Sequence, residues 1–305
     1  MTNFTELVKR NIRVYIRDKG AVFFSLLSML IVLGHMLLIL GDMNISSLTD
    51  LLAEFPNLYA DTDTDKQIAE LFVMLWTCGG ILSINAATVT LAVYSSMISD
   101  RKKGVLNSIY TAPVSRFTIS AAYVTSAWIC SVIICTLTLA ISEIYCIIQG
   151  GAVFTLVSHL KLMGMIMANS FTYASLMYLA AVLVKTEGAW SGMGTVIGTL
   201  VGFLGGIYLP IGSLAEEIGA GLKFFPVIYG AKMFRSVMTV DICNEMFTDA
   251  PEAFRTEYLD AMGVNIDFFS AEISDGGCVA ILLVCGMVFL AAGAFVTGIK
   301  SKRDR

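Results

Sequence analysis

Apolar and polar residues fall in long blocks along this chain, and the blocks predict helices that cross a membrane. Residues 3–19 come first. Phe4, Val8, Ile12, Tyr15 and Ile16 fall near one helical face, and Arg10, Arg13 and Arg17 on another. That pattern predicts an interfacial helix whose cations rest on anionic headgroups; a plain cytoplasmic tail carrying an orientation signal is the other reading. Six apolar blocks follow, at about 21–40, 68–98, 117–142, 162–184, 188–209 and 276–299. A helix needs about 20 apolar residues to cross a bilayer, so each block is a predicted span. The second exceeds that need and should tilt or extend beyond the lipid.

Between the blocks lie polar punctuation marks. Asp42 to Lys66 is polar and acidic, and Gln149-Gly150-Gly151 marks a turn. Lys185-Thr186-Glu187 is a short link. Residues 207–240 mix apolar positions with Pro210, Glu216, Glu217, Lys223, Pro226, Lys232 and Arg235. Two readings stand side by side for this stretch: a re-entrant helical hairpin dipping into the outer leaflet, or an ordinary outer hairpin. Residues 241–275 form an acidic outer segment, and the chain ends on the basic run KSKRDR. The expected fold is therefore an all-α membrane protein in a single transmembrane domain. It has six spans, an N-terminal interfacial helix and a hairpin before the last span.

Composition sharpens this picture. Of 305 residues, 56% are hydrophobic and only 14% charged, against about 25% charged in ordinary soluble domains. Mean hydropathy is +0.77. The net charge of -4 conceals an asymmetry. Most lysines and arginines fall on the side of the N-terminus, the 99–116 stretch, the 185–187 link and the tail, while most carboxylates fall on the other side. Positive charge beside span ends marks the cytoplasm, so both termini are expected there. No cleavable signal peptide is expected, because the first residues are polar and basic and the first apolar run is too long. Among the seven cysteines, Cys78, Cys130, Cys135 and Cys285 sit in apolar runs as small packing residues. Cys146, Cys243 and Cys278 lie near the expected outer face, where a disulfide is an open question.

Several chemistries are excluded by what is missing. The chain has no GxxxxGK[ST] phosphate loop and no HExxH zinc helix. Ser191-Gly192 follows Ala189-Trp190 and so lacks the GxSG of an intramembrane serine protease. His35 and His159 are the only histidines. His35 has no second metal ligand at helical spacing and reads as a helix-contact or interfacial residue. No catalytic residue, metal site or nucleic-acid partner is expected. Ion-coupled carriers bury charges at mid-membrane, yet the centres of the six predicted spans lack Asp, Glu, Lys and Arg, and no internal repeat stands out. Thr77, Asn85, Thr88 and Ser95 do recur near one face of the second span. They are candidates for a pathway lining, although hydroxyls and amides serve equally as interhelical hydrogen bonds. Gly194, Gly198, Gly202 and Gly206 put a glycine at every fourth position of the fifth span, a surface for close helix packing.

The stretch SDRKKGVLNSIYTAPVSR, residues 99–116, is a charged island between the second and third spans. Asp100-Arg101-Lys102-Lys103-Gly104, then Val105-Leu106, then Pro113-Val114-Ser115-Arg116, resembles the permeases of type 2 ABC exporters. In that family an acidic-basic run, a glycine, a short helix and a Pro-Val-Ser-Arg stretch join these spans. FPVIYGAKMFR, residues 225–235, is similar to the family's outer re-entrant hairpin, and the layout of the whole chain is similar as well. Asn107 departs from the glutamate that many relatives carry in the short helix.

The resemblance implies the membrane-spanning subunit of an ATP-driven exporter in a bacterial plasma membrane, moving a drug, antimicrobial peptide, lipid or similar amphiphile. It implies two permease copies, as a homodimer or related heterodimer, and separate ABC ATPase subunits that bind ATP and Mg. The short helix of residues 104–110 would seat in a groove of the ATPase. Leu106 and Ile109 would be its anchors, and Arg101, Lys102 and Lys103 would meet acidic groups on the rim. Tyr110, Pro113 and Arg116 complete the expected coupling set. A bare positive-inside loop remains the other reading of the island. For the whole chain the alternatives are a membrane-embedded lipid-modifying enzyme and an ion-coupled secondary carrier.

Overall fold

The computed structural model describes residues 2–35, 62–105, 114–204, 219, 221–247, 251–268 and 271–303, and the structural statements that follow concern these. Helix α1 spans Thr2–Arg17. Its Val8, Asn11 and Tyr15 are buried, and its arginine face is turned away from them. Asp18 then accepts a hydrogen bond from the amide of Ala21 and caps α2, Lys19–His35. The Tyr15 hydroxyl donates to Ser25 Oγ at 3.1 Å, which fixes the elbow between the two helices.

Helix α3, Thr62–Lys102, is the mast of the bundle. Its 41 residues reach about 60 Å at 1.5 Å per residue, so the predicted span 68–98 is extended at both ends. Apart from the exposed Glu70, the stretch from Ile68 to Leu82 is buried. The surrounding helices are α4, Arg116–Ile148; α5, Leu156–Leu183; α6, Glu187–Leu204; and α7, Pro226–Met246. Ser115 and Thr155 accept amide hydrogen bonds from Thr118 and Ser158, so α4 and α5 each begin on a side-chain cap. Helix α9, Asp275–Arg303, lies against α5 and α7. Close approach there needs small residues: Gly286 and Gly293 of α9 sit under the rings of Phe171 and Tyr178.

Four described helices are long and apolar enough to cross a membrane: Lys66–Lys102, Arg116–Ile148, Leu156–Leu183 and Asp275–Gly298. They cover the second, third, fourth and sixth predicted spans. The first and fifth correspond to α2 and α6, which end where the described residues end. Of the predicted hairpin, residues 205–218 and 220 lie outside the described residues. Its second half departs from the expected boundary. Pro226 at the first helical position starts α7, and the helix runs past Val240 to Met246. Ile242, Cys243 and Met246 continue its buried face there, so the acidic segment from Asp241 begins as helix. Most of α7 is buried among α3, α5 and α9.

The outer segment also carries structure. Helix α8, Glu252–Ala261, is followed by a two-residue ladder in which Asp267–Phe268 pairs antiparallel with Ala271–Glu272. Tyr258 packs its ring against Phe72 and Phe247, and Trp76 donates its indole N–H to the Met262 carbonyl at 2.7 Å. These contacts hold the segment that follows α7 on α3 and α7. Cys146, Cys243 and Cys278 are buried free thiols.

Candidate functional site

The end of α3 gathers five helices. Asp100, in its last turn, is mostly buried, and a buried carboxylate must be paired. The partner is Arg10 of α1. Its two terminal nitrogens reach the two carboxylate oxygens, Nη1 to Oδ2 at 2.8 Å and Nη2 to Oδ1 at 2.9 Å. This fork-on-fork pairing suits the planar guanidinium. The hydrogen bond to Asp100 raises Arg10 above its ordinary pKa, with burial pulling the other way. The Tyr123 hydroxyl of α4 donates to Asp100 Oδ2 at 3.0 Å. One carboxylate therefore ties α1, α3 and α4 together.

The next two residues tie in the remaining helices. Arg101 donates to the carbonyls of Ala181 and Val184 at 3.2 and 2.5 Å, covering acceptors that the C-terminal end of α5 leaves open. Lys102 pairs with Glu187 at the start of α6. Both groups are well exposed, so this pair holds position more than it adds stability. The sequence placed Arg101 and Lys102 on a partner's rim; the structure gives both of them partners within the chain. Lys103 is exposed. Gly104 then turns the chain with φ +73, a left-handed conformation that favours glycine. Leu106, Ile109, Tyr110 and Pro113 lie outside the described residues. The chain is described again from Val114, with Arg116 opening α4.

The polar residues of α3 divide. Thr77 and Asn85 are buried: Thr77 donates to the Val73 carbonyl, and the Asn85 amide donates to Thr138 Oγ1 of α4 at 2.6 Å. Thr88 is half-buried, bonded to the Asn85 carbonyl, and Ser95 is exposed, bonded to the Ala92 carbonyl. The glycines of α6 also divide. A Cβ on Gly194 would meet Leu91 of α3 at 2.9 Å, Gly198 faces open space and Gly202 is buried. Gly206 lies outside the described residues.

Periodicity gave no sign of several interior polar contacts. Lys232 of α7 is buried and pairs with Asp275 at 2.7 Å, and Ser236 donates to the same carboxylate oxygen. Arg235 is wholly buried, with its guanidinium 4.0 Å from the Trp76 ring centroid. Asn169 of α5 donates to the Ser83 carbonyl of α3 at 3.1 Å. Each pairing joins residues distant in sequence. Only a charge in an apolar neighbourhood, as at Lys232 and Arg235, was visible beforehand. An apolar groove of about 590 Å³ lies between α4, α5 and α9, lined by Trp128, Phe171 and Leu283 among others. It offers van der Waals contact and no charge. Among the described residues, no three His, Cys, Asp or Glu side chains gather where they could hold a metal ion.

Comparison with known proteins adds the family. No curated protein matches the chain significantly. The family model for the ABC-2 type transporter matches residues 2–239, which includes the clamp at Asp100, the charged island and most of α7. That match takes in most of the chain, and with four membrane-length helices the protein belongs to the ABC-2 type transporter family, as a membrane-spanning permease subunit that associates with ABC ATPases.

Proposed function

We propose that the chain is the permease of an ATP-driven exporter in a bacterial plasma membrane, with both termini in the cytoplasm. Two copies form the pathway, and separate ATPase subunits, carrying ATP and Mg²⁺, dock on residues 99–116. The observation that carries this reading is the convergence on the end of α3. Asp100 holds α1 and α4, Arg101 holds the end of α5, and Lys102 holds the start of α6. A push on the island at the exposed Lys103 then reaches five helices at once. The mast α3 carries it the depth of the membrane as a rigid rod.

The face of α6 that bears Ser191, Gly192, Thr195, Gly198 and Thr199 is exposed and made of small residues. That supports close packing of a second copy there. Thr88 and Ser95 of α3 are the pathway candidates under this reading, because Thr77 and Asn85 are enclosed within one chain. The cargo class is an amphiphile such as a drug, peptide or lipid. Purification of the tagged chain tests the proposal. An ATPase subunit is expected to copurify and to be lost on Leu106→Asp, with the permease itself still in the membrane. A chain that moves cargo without any ATPase, driven by a proton gradient, would overturn it.

A further inference from the structure

Helix α1 also carries a cationic face, of which the clamp uses only Arg10. Glu6, Lys9, Arg10, Arg13 and Arg17 fall within an arc of about 100° on a helix of 3.6 residues per turn. With Val14 they line a cavity of about 300 Å³. Arg10 is committed to Asp100 and Asn11. Lys9 pairs with Glu6 at 3.1 Å, but both are exposed, so the pair is weak. Arg13 and Arg17, one turn apart and exposed, make no ion pair among the described residues. The cavity thus holds two uncommitted guanidinium forks and one loosely paired ammonium against a single carboxylate. Planar forks of this kind match the oxygens of a phosphate group.

We propose that this cavity binds the phosphate of an anionic membrane lipid. The lipid source follows from position. Only Asp18 separates α1 from α2, the helix of the first apolar block, so the cavity lies on the segment entering the bilayer. The inference rests on the interfacial placement of α1 and names its ligand. It also has a mechanical consequence. The opposite face of α1 is packed on the bundle through Val8 and Tyr15, and Arg10 grips Asp100. A headgroup held by Arg13 and Arg17 therefore anchors the end of α3 at the membrane surface.

Native mass spectrometry of the purified full chain, titrated with phosphatidylglycerol or phosphatidylcholine, tests this. Phosphatidylglycerol is expected to bind in preference. Arg13→Gln with Arg17→Gln should weaken it about thirtyfold, taking each cation near a headgroup at its usual worth. Arg13→Lys with Arg17→Lys should keep most of the binding, and Lys161→Gln, on the far end of α5, should change nothing. Equal binding of the two lipids, or no loss in the double glutamine variant, overturns the proposal. So does displacement of phosphatidylglycerol by millimolar inorganic phosphate, which would assign the cavity to a soluble phosphate. The titration needs no ATPase, so its failure leaves the coupling reading standing, and failed copurification leaves this site standing.

Discussion

Arg10 and Asp100 stand ninety residues apart in sequence and meet through two nitrogen–oxygen contacts of 2.8 and 2.9 Å. Their pairing fastens the first helix of the chain to the last turn of the longest one. Tyr123 adds a third tie to the same carboxylate. This geometry fastens the N-terminal helix to the bundle.

The clamp should register in a double-mutant cycle. Arg10→Ala and Asp100→Asn are each expected to destabilise the chain in detergent. Their coupling energy is expected to be about 1–2 kcal/mol, kept modest because Arg10 is about a third exposed. Arg10→Lys should recover only part of the loss, since an ammonium cannot span both oxygens. Tyr123→Phe should cost about 1 kcal/mol. Equilibrium unfolding of the purified single and double variants measures these values; additive single losses would dissolve the clamp.

Gly230 sits where α7 presses on α3 and α5. A Cβ there would lie 2.5 Å from Ser83 Oγ and 2.8 Å from Asn169 Oδ1. Gly230→Ala should therefore destabilise by about 1–3 kcal/mol. Ser83→Ala in the same chain removes the nearer atom and should restore part of the loss. Thermal unfolding of the single and double variants gives the comparison, and a neutral Gly230→Ala would mean that α7 lies farther out.

A second close approach meets backbone as well as side chain. A Cβ on Gly79 would sit 3.0 Å from the backbone nitrogen of Arg235. Gly79→Ala is expected to cost about 1–3 kcal/mol as an overpacked contact, and to loosen the Arg235–Trp76 stack with it. Gly198→Ala, facing open space, should leave the unfolding of the single chain unchanged. Any effect of Gly198→Ala should appear in the dimer fraction measured by crosslinking. A Gly198→Ala variant that unfolds like Gly79→Ala would contradict both assignments.

Much of this architecture was written in local pattern. The basic and buried faces of α1 follow the helical spacing of Val8, Tyr15, Arg13 and Arg17. The long second span appears as α3, and the charged island falls at its end. What local pattern lacks is the identity of partners across distance. Nothing around Asp100 names Arg10 or Tyr123, so the island's charges were assigned outward, whereas Asp100, Arg101 and Lys102 are satisfied within the chain. Helix α7 was obscured for a related reason. Lys232 and Arg235 leave it between a re-entrant and an outer hairpin, while Asp275 and Trp76, contributed by other helices, make their burial affordable.

The proposed function docks an ATPase on the residues between α3 and α4, where Lys103 is exposed. A photoreactive amino acid placed at position 103 in the assembled transporter reports its neighbour directly. This docking predicts a covalent adduct with the ATPase subunit from position 103 and none from position 148, at the far end of α4. An ATPase adduct from 148 alone, or labelling of Lys103→Cys by a membrane-impermeant thiol reagent applied outside intact cells, would contradict it.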